Sequence, residues 1–476
     1  MLIFIFWIIF IISHLVFLTS LPIFEDEAIY LYLADKIPEN PLQFLFVYAS
    51  SYGLLPMFGW LVSVFKLFLQ DSLIAGRVLN VLLASTLIFW VVKIAQLFKM
   101  NKFFTFSAII LLIISPIIHL NSRVALLDTS ILVFTAWYIY FTLKYLKERK
   151  FKDIFFLFFS VLAAILTKPT AVFGLIPVIY LLFLCYTKNK KRLLSGLIYI
   201  TPAYLIPFIF LGLIIVIFGS QILGDSGSSL IFHQPLRDIM AKIKINIFLT
   251  SIWSKTYYLP FLLLPVFFII FHKFIKNRNF YLLMVIWLIS SVIFMITLNR
   301  FYYPRHILIL SLPLIAIASA FLSEIPRKSA TVIFLLLSLT KIQLGWDIIT
   351  SISNAEIALE DKFEYFENYT SGQNINLISD YINELSYNQP ITVWLDGSYV
   401  MEYGLRRATK NTNVIFKSFR LDDNLLQHSP GTVFKDTGRK TYVIVNRWEP
   451  INSQSLKLIK SFPVSFRHSQ HLYLLP

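Results

Sequence analysis

Long apolar runs recur along most of this chain, Ile109–Ile118 and Leu205–Phe218 among them. Repeated runs of this kind are what a bundle of membrane-crossing helices needs, each crossing taking about 20 residues. A membrane barrel would instead show apolar and polar residues alternating within segments of about ten residues. No such alternation occurs. Composition agrees, because 57% of the residues are hydrophobic and only 14% are charged, with 46 Phe and 24 Tyr. Soluble domains are about half apolar and about a quarter charged. The expected fold is therefore an α-helical polytopic membrane protein.

The apolar pattern predicts about eleven spans, near residues 2–22, 72–97, 103–119, 124–145, 154–170, 171–187, 194–218, 256–272, 280–298, 306–322 and 329–346. The first has no basic leader and no small-residue cleavage site, so it reads as a retained span. Leu54–Leu69 is apolar but short, and is interrupted by Pro56, Gly59 and Lys66. Charge decides its placement. If it lies along the surface, one face of the bundle receives Lys99, Lys102, Lys144, Lys147, Arg149, Lys188, Lys190, Lys276, Arg278, Arg327 and their basic neighbours. The opposite short loops keep only Arg123, Lys168, Arg300 and Arg305. Basic residues accumulate on the cytoplasmic side. The expected topology thus has a cytoplasmic N-terminus in the plasma membrane and a juxtamembrane helix at Leu54–Leu69.

Two larger external segments follow from that topology. One is the loop at 23–71. The other runs from about Gly219 to Lys255, where glycines and serines suggest a mobile loop. After about Asp347 the polarity rises. Asn376–Leu385 and Ser398–Arg406 read as helices, and Ile391–Leu395 and Thr441–Val445 as strands. The chain is expected to divide into a transmembrane module, 1–346, and a small C-terminal external or periplasmic α/β domain, 347–476.

The net charge of +16 is mostly dispersed at span ends, which orientation and anionic lipid explain better than nucleic acid does. A single cysteine, Cys185, excludes an intrachain disulfide and a multi-cysteine metal site. The histidines show no metal-binding spacing, and no metal or other cofactor is assigned.

Charged residues beside apolar runs are expensive and call for a reason. Glu25, Asp26 and Glu27 follow the first span directly. They could cap the next helix at its N-terminus. Alternatively, Asp26 could take a proton from an acceptor hydroxyl, with Glu27 positioning it or contacting a cation. Lys168 precedes Pro169 at a span end, and is either a snorkelling lysine or a point charge for phosphate. Arg300 and Arg305 flank Phe301-Tyr302-Tyr303-Pro304. They read equally as an interfacial anchor or as a phosphate clamp in which a tyrosine donates. Arg123 and Asp128 sit just inside a span, where a structural ion pair, for instance through Arg77, competes with a role in a site.

These residues resemble the membrane-embedded glycosyltransferases of the C superfamily (GT-C) that use polyprenyl-phosphate sugars, including the protein O-mannosyltransferases and the lipid A aminoarabinose transferases. The resemblance rests on Asp26-Glu27 with Ala28 and Tyr30, on Gly76-Arg77-Val78-Leu79-Asn80, on Arg123 to Thr129, on Leu166–Pro169 and on Tyr302–Arg305. It covers about the first 320 residues in order and spacing. It implies inverting transfer from a polyprenyl-phosphate sugar to a hydroxyl of a glycan, lipid or protein on the external face, without a catalytic metal, with Asp26 as base, Glu27 as its support and Glu25 as ordinary surface. Many relatives carry a Lys-Pro-Pro-Leu element in the first loop. Here Ser51-Tyr52-Gly53-Leu54-Leu55-Pro56 stands in its place, with no lysine. Donor-phosphate binding would then fall on Lys168 and Arg305, with Arg123, Tyr302 and Tyr52, while Arg77 and Asp128 support the site. A lipid or solute transporter is the alternative, though no internal symmetry of two halves is visible.

Overall fold

The structure is a computed structural model that describes residues 1–41, 56–188, 190–222, 236–258, 261, 276–298, 303–368, 371–396, 398–419, 439–447, 450–451, 456–465 and 468–475. Tyr52, Arg300 and Tyr302 lie outside the described residues. The chain divides into two compact units, Met1–Leu18 with Leu33–Ala358, and Thr19–Tyr32 with Leu359–Pro476.

The first unit is helical. Its helices are α1 (Leu2–Leu15), the second half of α2 (Glu25–Glu39), α3 (Met57–Leu69), α4 (Ser72–Leu97), α5 (Lys102–Ile113), α6 (Pro116–Ser122) and α7 (Leu127–Glu148). They continue as α8 (Phe151–Thr167), α9 (Leu175–Lys188), α10 (Lys190–Ile222), α11 (Leu236–Tyr258), α12 (Arg278–Leu298), α13 (Ser311–Glu324) and α14 (Arg327–Thr350). Among the described residues, four helical stretches are long and apolar enough to cross a membrane alone, and five if the bent pair α5–α6 counts as one span. The helical membrane architecture expected from the sequence is borne out at that level. The bend of 56° between α5 and α6 falls at Ser115-Pro116. Proline lacks an N–H and disfavours helical backbone in the residue before it, so the helix breaks there and restarts with Pro116 in its first turn.

The stretch expected to lie along the membrane surface is helical, as α3, whose described start is Met57. Lys66 pairs with Asp35 of α2 at 2.6 Å, and the Ser63 hydroxyl donates to the Ala34 carbonyl at 2.8 Å. Leu67 and Phe68 stay exposed, as side chains facing lipid would. The mobile loop expected at 219–255 is corrected. The helix α10 runs to Ile222 and α11 begins at Leu236. The glycines of this segment are confined to the stretch Gly219–Gly227, whereas Met240–Phe248 consists mainly of residues compatible with a helix.

The second unit holds a five-stranded sheet of order β2-β1-β3-β5-β4. Its strands are β1 (Ile391–Asp396), β2 (Val414–Phe419), β3 (Lys440–Arg447), β4 (Lys457–Ser465) and β5 (His468–Leu474). Strand β1 pairs parallel with both β2 and β3, and β5 runs antiparallel to β3 and β4. Ile391, Val393 and Leu395 of β1 are buried on one face, and Thr392 on the other is buried as well. Helix α15 (Ile375–Leu385) buries Ile375, Ile378 and Ile382, the spacing of one helical stripe. It packs on α16 (Tyr399–Ala408), where the Ile375 Cδ1 occupies the space beside Gly404, 2.1 Å from where a Cβ would lie. All four C-terminal elements expected from the sequence are present. The strands β2, β4 and β5 were not foreseen.

Candidate functional site

The sequence candidates gather in two places, one in each unit. In the first unit, three charged side chains from distant parts of the chain converge. Asp128 stands in the first turn of α7, Lys168 follows the last residue of α8, and Arg305 lies in the 3-10 turn Pro304–Leu310 before α13. Each is placed by local chemistry. Pro169 stops α8 and holds Lys168 in an extended conformation, with φ −158° and ψ 131°. Pro304 opens the turn that carries Arg305, and the Tyr303 main-chain N–H donates to His306 Nδ1 at 3.2 Å.

Lys168 Nζ donates to Asp128 Oδ1 at 3.2 Å, and Arg305 Nε lies 3.9 Å from Asp128 Oδ2. One carboxylate therefore stands between two cations. The Arg305 guanidinium also covers the Tyr303 ring at 4.5 Å, a cation–π contact that fixes its plane. Asp128, Lys168, Arg305 and His306 line a small cavity with Thr170, Ile131 and Met295. The Lys168 side chain is 30% exposed, against 9% for Arg305. A cavity with two fixed cations, one of them reachable, is chemically suited to an anionic oxygen such as that of a phosphate. The ion pair expected for Asp128 through Arg77 is not the one found; its partners are Lys168 and Arg305.

Arg123, read from the sequence as a donor-phosphate ligand, has another set of partners. It is fully buried. Nη2 donates to the Val16 and Phe17 carbonyls at 3.0 and 2.7 Å, and Nη1 to the Ile348 carbonyl at 2.8 Å. A phosphate would have to displace the ends of α1 and α14 to reach it. Arg77, also fully buried, donates to the Leu18 carbonyl at 2.8 Å. Asn80, which the sequence showed only as a motif position, donates to the Val124 and Leu126 carbonyls at 2.6 and 2.8 Å and accepts from Ser130 at 3.2 Å. It thereby shapes the turn that delivers Asp128. Spacing could not reveal that role, because the partners lie 44 and 46 residues away.

In the second unit, the acidic triplet forms the first turn of α2. Glu27 is fully buried, and Asp26 is half-buried. Glu25 is not ordinary surface. Its carboxylate accepts from the Ser398 hydroxyl and the Tyr399 and Val400 main-chain N–H groups, each at 2.9 Å. Burial pushes its pKa up from 4.5, while the Val400 and Tyr399 N–H groups and then the Ser398 hydroxyl draw it back down. Among the described residues, no three of His, Cys, Asp and Glu gather as a metal site would require.

The comparisons with known proteins agree with this architecture. Residues 54–217 match the family of dolichyl-phosphate-mannose-protein mannosyltransferases. No curated protein matches the chain in sequence. Among solved structures, ArnT from Cupriavidus metallidurans bound to undecaprenyl phosphate is similar with a TM-score of 0.61 at 12% identity, covering 98% of this chain and 96% of its own. Its apo state gives 0.62 at 13% identity, with the same coverage. The arabinofuranosyltransferase AftD from Mycobacteria gives 0.55 at 10% identity, covering 99% of this chain, which spans 40% of that much longer protein. These neighbours show that the chain shares their fold, and the family match over residues 54–217 is in line with the glycosyltransferase resemblance seen in the sequence.

Proposed function

We propose that this protein is an inverting glycosyltransferase that moves a sugar from a polyprenyl-phosphate donor to an acceptor hydroxyl at the external face of the membrane, through a bundle of about eleven spans. The observation that carries the reading is the convergence of Lys168 and Arg305 on Asp128 in a lined cavity. The polyprenyl phosphate bound by the ArnT neighbour supports the choice of donor. Tyr52 and Tyr302 complete the proposed donor site from the sequence alone.

In the reaction, the acceptor oxygen attacks the anomeric carbon from the face opposite the phosphate. The carbon–oxygen bond to phosphate breaks, and the lipid phosphate leaves with the bonding pair. Lys168 and Arg305 hold the charge that develops on it, at a site where fixed charges are effective because little solvent screens them. Asp26 takes the hydroxyl proton, a contribution of about 10²–10⁴-fold, and Glu27 supports it. Arg77 and Asp128 hold the frame.

Transfer of radiolabelled sugar from an undecaprenyl-phosphate donor by the purified protein tests this. Asp26→Asn should abolish turnover by at least about 10²-fold with donor binding retained. Lys168→Ala should raise the donor KM by about tenfold or more, the loss of one charge-assisted contact. Wild-type turnover in a folded Asp26→Asn protein would refute the base, and an unchanged KM in Lys168→Ala would remove the phosphate site.

A further inference from the structure

The start of α2 is held at several points by the C-terminal segments of its own unit. The Gly372 N–H donates to the Ile23 carbonyl at 2.8 Å, and Phe24 forms an antiparallel bridge with Ser371. The Phe24 ring packs on Tyr365, with centroids 5.4 Å apart. A Cβ at position 372 would come within 2.8 Å of the Ile23 carbonyl oxygen, so the approach needs glycine. The third point is Glu25. A helix leaves its first N–H groups without internal partners, and an N-cap side chain usually serves one of them. Ser398 occupies the N-cap of α16 but makes no such bond to its own helix. Instead the Glu25 carboxylate accepts from the Tyr399 and Val400 N–H groups and from the Ser398 hydroxyl itself. Two turns further along, Tyr32 meets Tyr399 edge-on at 5.6 Å.

Glu25, Ile29 and Tyr32 share one stripe of α2. With 3.6 residues per turn, Asp26 lies about 100° around the helix from Glu25. Fixing the first stripe against α16 fixes the rotational setting of the second. We propose that Glu25 is a positioning residue, and that the C-terminal part of this unit serves the reaction by clamping the first turn of α2 so that the Asp26 carboxylate is held in one orientation. This rests on the role of Asp26 proposed above. The clamp contributes no atom to the chemistry; it restricts where the base can point. A displacement of about 1 Å in a reacting group costs on the order of 10²-fold in rate.

The test compares the full-length wild type with Glu25→Ala, Glu25→Gln, Ser398→Ala and Asp26→Asn. The readouts are turnover of radiolabelled undecaprenyl-phosphate mannose with a membrane lipid extract as acceptor, and hydrogen exchange at the Tyr399 and Val400 amides. Glu25→Ala should lower kcat by about 10²-fold, with the donor KM nearly unchanged and both amides exchanging faster. Glu25→Gln keeps one acceptor oxygen and should recover kcat to within roughly tenfold of wild type. Ser398→Ala keeps both amide bonds and should produce the smallest loss. If Glu25→Ala fails to fold, the other two variants decide. Wild-type kcat in the variants whose amides have lost protection overturns the proposal. A fully active Asp26→Asn protein would instead sink the base assignment on which the clamp depends. An inactive Asp26→Asn beside a fully active Glu25→Ala would sink the clamp alone.

Discussion

Replacing Arg123 decides whether it is framework or ligand. Its three bonds of 2.7–3.0 Å join the end of α1, through the Val16 and Phe17 carbonyls, to the end of α14, through Ile348. Helix C-terminal carbonyls carry partial negative charge and lack internal donors, so a buried guanidinium is well matched to them. Phe17 has a left-handed backbone with φ 52°, which costs a non-glycine residue about 1–2 kcal/mol unless its surroundings hold it there. In Arg123→Met the buried Ile348 carbonyl loses its donor at about 1–3 kcal/mol, and the two partly buried carbonyls lose about 1 kcal/mol each. The expected destabilisation is about 3–5 kcal/mol. Lysine has a single ammonium that cannot span both helix ends as the planar fork does, so Arg123→Lys should recover no more than about half of it. The assay is thermal unfolding in detergent, paired with the donor KM at a temperature where both variants remain folded. Framework predicts a lowered melting temperature in the order wild type, lysine, methionine, with the donor KM unchanged. A wild-type melting temperature with a tenfold or larger rise in donor KM would refute this reasoning and return Arg123 to the phosphate site.

Two further expectations concern buried polar groups. Asn80→Asp places a carboxylate where two carbonyls need a donor, at 2.6 and 2.8 Å. It should destabilise the protein more than Asn80→Ala, by at least about 2 kcal/mol relative to wild type, measured by thermal unfolding. Glu25 bears on pH. Its folded pKa is raised above 4.5 by burial, so the folded state binds the proton more tightly than the unfolded state. The stability from this group is full below the unfolded value and is lost as pH rises through the folded one. Proteolysis of the second unit should therefore quicken as pH is raised from 4.5, and Glu25→Gln should flatten that part of the profile; an unchanged profile would contradict it.

Much of this site was legible as chemistry but not as geometry. Lys168-Pro169 and Tyr303-Pro304-Arg305 announced cations at broken helix ends, because proline acts on its immediate neighbours and needs no tertiary information. The β1, α15, α16 and β3 segments were equally readable, since period and length identify such elements locally. The residues whose contacts were hidden from the sequence all have partners far away in the chain. Arg123 looked like a ligand because a charged residue just inside a span has no local explanation; its partners lie 106, 107 and 225 residues away. Glu25 looked like surface because its partners lie 373 to 375 residues away.

The sequence by itself determined that this chain is a helical membrane protein, where its helices break, and which charged residues stand at those breaks. These follow from the transfer of apolar side chains out of water and from backbone chemistry acting over a few residues. Tertiary structure alone decided which charges meet. Asp128 takes Lys168 and Arg305, Arg123 takes main-chain carbonyls, and Glu25 takes the start of α16. A buried charge must be satisfied by whatever donor or acceptor the packing brings within about 3 Å, and packing is set by the whole chain.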